Sequence, residues 1–202
     1  MENFTYEKDD RKTVLEKYEW DNLWIESTDD NESNRVLYIG DSISCGTRNI
    51  ATMQTQKEIL FDGFASSKAV DNPFLKESIS LFISQLPKLE MILFNSGLHG
   101  WHLEDTSEYA KYYEEIVIYL LEKYSKVPMF LVLTTYIRDE ARIERVKARN
   151  SAVLKIADKY QLPVIDLYTV TEKNKELLSK DGVHFTPEGY EIIAKEIISV
   201  IS

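Results

Sequence analysis

The sequence predicts a three-layer α/β/α domain: a central parallel sheet of about five strands, covered by helices on both faces. Three observations predict it. Short apolar runs alternate about five times with longer stretches whose apolar residues recur every three or four positions. The runs are close to continuously apolar, as strands buried on both faces must be, and parallel strands then need right-handed helical crossovers. A chain of 202 residues, 44% hydrophobic and 29% charged, is also enough for one sizeable core.

Taken in order, residues 1–34 read as a lead-in packed on the core and residues 35–202 as the domain itself. Within the lead-in, "DRKTVLEKYEW" is compatible with a helix, and Trp20 and Trp24, four apart, would share a helical face and clamp the segment down. The polar end of "DNLWIESTDDNESN" reads as a loop. "RVLYIG" is then the first strand of the domain and "KEILFDG" a weaker second; "MILFNS", "MFLVLTTY" and "PVIDLY" follow. Between them lie the helix candidates "NPFLKESISLFISQL", "TSEYAKYYEEIVIYLLEKY" and "RDEARIERVKARNSAVLKIADKY", the last with charges that read as a solvated face. The closing helix in "TPEGYEIIAKEIISVIS" has Thr186 as its N-cap and Pro187 in its first position.

The formal charge is −10, which disfavours nucleic acid and anionic membrane surfaces, since binding phosphates needs clustered Lys and Arg. The first residues are charged and lack the apolar stretch of a signal peptide, and no later stretch approaches membrane-spanning length. A cytoplasmic protein without membrane insertion is expected. A single cysteine, Cys45, cannot form an internal disulfide and reads as a small packing residue.

In α/β domains, function gathers where strand C-termini meet helix N-termini. The loops at those positions are "GDSISCGT", "DGFASSKAVDNP", "NSGLHGWHLEDTS", "TTYIRDE" and "DGVHFTPEG", and they hold all three histidines. Ser42 sits at a strand-to-turn junction, where helix-start amides can face whatever its hydroxyl attacks. A serine needs a base, however, and Asp41 or Ser42 could simply cap the next helix. "DGVH" offers that base: Asp181 precedes His184 by three residues, so one turn can lay a carboxylate against the imidazole, fix its tautomer and stabilise the imidazolium. Rival chemistries fit less well. His99 and His102 with Glu104 and Asp105 lack the helical spacing of a His-Glu-x-x-His zinc site, so no metal is expected and His102 is given a supporting role. Neither a Gly-x4-Gly-Lys-Ser/Thr loop nor a Gly-x-Gly-x-x-Gly motif is present, which removes nucleotide binding, and the Gly-x-Ser-x-Gly elbow is absent too.

"GDSISCG" after the first strand together with "DGVHFTPEGY" before the last helix resembles the SGNH hydrolases, the GDSL esterase/lipase superfamily, over residues 35–202. The resemblance implies a flavodoxin-like fold, Ser42 as nucleophile, His184 as general base and Asp181 as its orienter. In the third family block, "FNSGLHGWH", Gly97 matches the family glycine. His99 stands where asparagine is usual, as in a Gly-Leu-His subgroup. An imidazole N–H can donate to an oxyanion as an amide does; Asn95 is the competing donor. The second block should supply a backbone N–H near Lys68, where no glycine stands, leaving Ser67 or Lys68; Ser42 N–H is the remaining donor. Trp101 and Asp41 are candidate substrate contacts, Trp101 as a sugar-stacking platform or as packing. The implied activity is hydrolysis of small O-acyl esters, acetyl foremost, with carbohydrate as a candidate alcohol and no cofactor. Alternatives are a lipase, a thioesterase or an acyltransferase of the same fold, or a binding protein that kept the fold without the chemistry; the motifs fix no oligomeric state.

Overall fold

The computed structural model describes residues 14–202. Its sheet has six strands: β1 (Asp21–Trp24), β2 (Asn34–Gly40), β3 (Ile59–Ser66), β4 (Met91–Phe94), β5 (Met129–Val132) and β6 (Val164–Ile165). They lie in the order β1-β3-β2-β4-β5-β6. β2 to β6 run parallel, as the apolar runs predict, and β1 adds antiparallel to β3 at the edge. The chain moves outward from β2 to β3, then returns to the other side of β2 for β4. That reversal opens a crevice at the C-terminal ends of β2 and β4.

Six α-helices follow the strands: α1 (Ser42–Gln54), α2 (Leu75–Ile83), α3 (Thr106–Lys123), α4 (Glu140–Tyr160), α5 (Leu167–Lys173) and α6 (Pro187–Ile201). Aspartates cap four of their N-termini: Asp41, Asp105, Asp139 and Asp166 each accept a hydrogen bond from a first-turn N–H. Thr186 caps α6 with Pro187 behind it, as the sequence predicts.

Side chains alternate across β2 into two cores. Leu37 and Ile39 pack with Phe64 and Phe94 against α2 and α3, while Val36 and Tyr38 pack with Phe61 and Leu93 against α1 and α6. α6 lies along α1, with Ile193, Ala194 and Ile197 fully buried. Burying an isoleucine side chain is worth about 1.5–3 kcal/mol, so this seam is a firm joint between the two ends of the domain.

The lead-in differs from expectation. The described part of its helix candidate, residues 14–20, is not helical, and the remainder lies outside the described residues. Trp20 and Trp24 share no helical face: Trp24 belongs to β1, is 45% exposed and lies beneath the Arg48 guanidinium at 5.6 Å. A short isolated helix is marginal in water, whereas the open edge of β3 offers backbone partners from Gly63 to Ser66. Among the described residues, no helix is long and apolar enough to cross a membrane.

Candidate active site

Gly40 ends β2, Asp41 caps α1 and Ser42 is the first helical residue. Asp41 Oδ1 accepts from Ile43 N–H at 2.9 Å. The helix itself has no use for the Ser42 N–H, one of its first amides, which points out of the N-terminus with the positive end of the helix dipole. Burial pushes the Asp41 carboxyl up to about 6, against the lowering effects of Ile43 N–H and His184.

The base comes from the loop before α6. Asp181 Oδ1 accepts from the N–H of Val183 and of His184, both at 2.9 Å, and from the Ser179 hydroxyl at 2.7 Å. Oδ2 meets His184 Nδ1 at 2.7 Å, and His184 Nε2 meets Ser42 Oγ at 2.8 Å. Partial burial pushes the Asp181 carboxyl up. The bonds from Val183 N–H, the His184 ring, the Ser179 hydroxyl and His184 N–H outweigh it and hold the group well below the usual carboxylate range. An ionised carboxylate only accepts, so Nδ1 carries the imidazole proton and Nε2 is left to accept from the Ser42 hydroxyl. Ser42, His184 and Asp181 therefore form one hydrogen-bonded chain at a helix N-terminus. The side chains of His184 and Asp181 are 42% and 52% exposed, which places the pair on the open rim.

Beside Ser42 lies a narrow cleft lined by Ile39, Phe64, Leu75 and Phe94 at its apolar side and by Asp41, Ser66, Lys68, Asn95, Ser96 and His99. His99 thus faces the site, its ring in edge contact with Trp20 at 6.0 Å. Asn95 also lines the cleft, but its amide nitrogen is spent elsewhere: it donates to Val132 O at 2.8 Å and to Thr134 Oγ1 at 3.2 Å, fastening the end of β4 to β5. Gly97 permits this close approach of the loop to the segment after β5, since a Cβ there would collide with the Thr134 hydroxyl.

The second block departs from expectation. Ser67 is fully buried; its N–H donates to Trp20 O at 3.1 Å and its hydroxyl accepts from Trp20 N–H, so it holds the lead-in instead of facing an oxyanion. Lys68 does line the cleft, but its N–H donates to Ser66 Oγ at 3.0 Å and its ammonium pairs with Asp21. Trp20, just before β1, takes the Ser67 N–H, Ser66 of β3 takes the Lys68 N–H, and Asp21 of β1 takes the Lys68 ammonium. Of the expected donors, His99 lines the cleft and Ser42 stands at the helix N-terminus beside it.

Trp101 is no platform: it is 2% exposed, with the guanidinium groups of Arg142, Arg145 and Arg149 within 4.8–5.6 Å of its ring centre, so no face is open to a sugar. His102 bonds Asp71 at 2.7 Å and so links the loops after β3 and β4. Asp105, weighed above as a metal donor, caps α3. Among the described residues, no group of three His, Cys, Asp or Glu side chains could hold a metal ion. Cys45, read as packing, is partly exposed on α1.

The sequence model of GDSL-like lipase/acylhydrolases matches residues 36–197. The chain belongs to this family. As a GDSL-like acylhydrolase it is a serine ester hydrolase, and its fold agrees with solved structures. An acetyl xylan esterase, AlAXEase, superposes with a TM-score of 0.66 at 16% identity, over 83% of this chain and all of the other. A lipase/acylhydrolase from Enterococcus faecalis gives 0.63 at 18%, over 82% and 94%. The C-terminal catalytic domain of the Streptococcus pneumoniae peptidoglycan O-acetyltransferase A, solved with a methylsulfonyl adduct, gives 0.64 at 18%, over 85% and 94%. At such identities the likeness concerns the fold. Among proteins of curated function, none matches in sequence.

Proposed function

We propose that this GDSL-like acylhydrolase removes short acyl groups, acetyl foremost, from hydroxyl-bearing small molecules or carbohydrates through an acyl-enzyme on Ser42. The observation that carries the reading is the bond chain from Asp181 through His184 to Ser42, at 2.7 and 2.8 Å. Ser42 Oγ attacks the ester carbonyl as its proton passes to His184 Nε2, and Asp181 stabilises the imidazolium. The carbonyl oxygen becomes an oxyanion held by Ser42 N–H and a ring N–H of His99. His184 returns the proton to the departing alkoxide; a water activated by the same imidazole then frees the acid and restores Ser42. No cofactor enters these steps.

Two features support the short acyl group. Bulky side chains, Phe64, Phe94 and Leu75 with Ile39, line the apolar side of the cleft and limit the depth open to an acyl chain. Two of the similar structures are named for acetyl chemistry on glycans, one a xylan esterase and one a peptidoglycan acetyltransferase. The second of these favours one further reading, in which an alcohol takes the place of water as acyl acceptor.

A series of p-nitrophenyl esters tests the proposal, together with a fluorophosphonate probe. Turnover is expected to be highest for acetate and to fall by butyrate, with one probe adduct on Ser42. A purified protein that gives no adduct and hydrolyses no acetyl ester would be the fold-retaining binding protein instead. If added sugar alcohol captures the acyl group faster than water does, the transferase reading replaces hydrolysis.

A further inference from the structure

The loop that carries His99 is gripped from two sides by opposite charges, neither of which belongs to the motifs of the family. Arg149, on α4, is 1% exposed. Its Nη1 donates to the carbonyls of Gly97 at 3.0 Å and His99 at 2.8 Å; its Nη2 donates to those of Gly100 at 2.6 Å and Leu103 at 3.3 Å. The guanidinium plane lies between the rings of Trp101 and Tyr109, at 4.8 and 4.6 Å. From the other side, Glu16 of the lead-in, 5% exposed, accepts from Gly100 N–H at 3.2 Å. Gly100 has φ +70, a left-handed conformation that an L side chain resists, so the loop turns sharply at the residue both charges hold.

Both charges are far inside the protein, where an ionised group is costly unless its bonds are well made. An arginine that bonds four carbonyls of one loop fixes that loop's path, because the planar fork allows little rotation; Arg145 adds a bond to Trp101 O at 2.6 Å. The His99 carbonyl is among the four, and the Trp20 ring borders its imidazole on the lead-in side.

We infer that Glu16 and Arg149 are positioning residues that set the His99 imidazole against the oxyanion, so that the segment before residue 36, outside the family match, completes the catalytic site. The inference rests on His99 being an oxyanion donor. Displacing a stabilising group by about 1 Å can cost on the order of 100-fold in rate. The effect falls on kcat and spares KM, because an oxyanion exists only in the transition state and intermediate.

A double-mutant cycle on acetyl ester turnover tests it, with thermal unfolding measured alongside. Arg149→Lys cannot span four carbonyls and is expected to lower kcat about 10- to 100-fold with KM within about twofold. Glu16→Ala is expected to lower kcat by a smaller factor in the same manner, and Glu16→Gln, which keeps an acceptor for Gly100, to restore most of it. In a His99→Ala background, neither Arg149→Lys nor Glu16→Ala should lower kcat further. If His99→Ala loses kcat and the Glu16 and Arg149 losses multiply with it, the positioning role is wrong while His99 stands as donor. A lowered unfolding temperature with kcat unchanged overturns it equally. Full kcat in His99→Ala removes the donor assignment and the inference with it. Should Arg149→Lys fail to fold, the Glu16 pair carries the test alone.

Discussion

The two histidines at the cleft are held in opposite ways. His184 stands in a loop that closes on itself: Ser179 N–H bonds His184 O, and Asp181 gathers bonds from residues within three positions of it. His99 stands in a loop whose anchors are remote, Arg149 50 residues away and Glu16 84 residues from Gly100. The first loop is half in solvent, and the second is bound to fully buried charges. The proposed base is thus oriented by its own turn, whereas the proposed oxyanion donor is held by side chains distant in sequence.

The largest expected effect bears on the self-contained side. Ser42→Ala or His184→Ala should lower kcat by about 10⁴-fold or more with folding unchanged, measured by acetyl ester turnover and thermal unfolding. Retained activity would mean that the nucleophile lies elsewhere. Next, Asp181→Asn should cost roughly 10³- to 10⁴-fold, because the amide can present its N–H to Nδ1 and favour the wrong tautomer. A loss below tenfold would show that the turn alone orients the ring.

On the remote side, His99→Ala is expected to lower kcat by about 10²-fold, the usual cost of one oxyanion donor, while Asn95→Ala acts mainly on stability by freeing Val132 O and Thr134. The reverse pattern would exchange their roles.

The smallest effect concerns Asp41 and is read in stability. Its folded value, about 6, lies above the ordinary 3.9, so between these pH values the folded state binds more protons than the unfolded one. Stability from this group is present below pH 4 and is lost as pH rises through 6. Asp181 has the opposite sign: its carboxyl is held down, and its contribution appears above the ordinary value and fades as pH falls. Asp41→Asn should remove the first trend, and the wild-type minus variant difference in unfolding free energy should decline by up to about 3 kcal/mol from pH 4 to pH 7. A flat difference would mean that Asp41 is ionised without penalty.

The same contrast explains what could be seen in the sequence. β2 to β6, α6 with its cap, and the Ser42, Asp181 and His184 positions were legible because each is written in consecutive residues: an apolar run, a Thr-Pro start, a four-residue Asp-x-x-His. β1 was not, since "DNLW" is exposed along its whole length and carries no periodicity. The turn into it takes the Ser67 N–H at Trp20, and Ser66 of β3 takes that of Lys68. Arg149 hid among the charges of α4, although it lies on the stripe of Val146, Val153 and Ile156 and shares their burial. A charge at a core register is the signal that would have found it.

Ser42 and His184 are 142 positions apart and are brought together by the seam between α1 and α6. A ribosome makes Ser42 long before His184, and until the later segment docks the hydroxyl has no imidazole beside it to take its proton. The bond between the two residues forms only when residues 179–201 settle against α1, so that single bond reports the docking of α6.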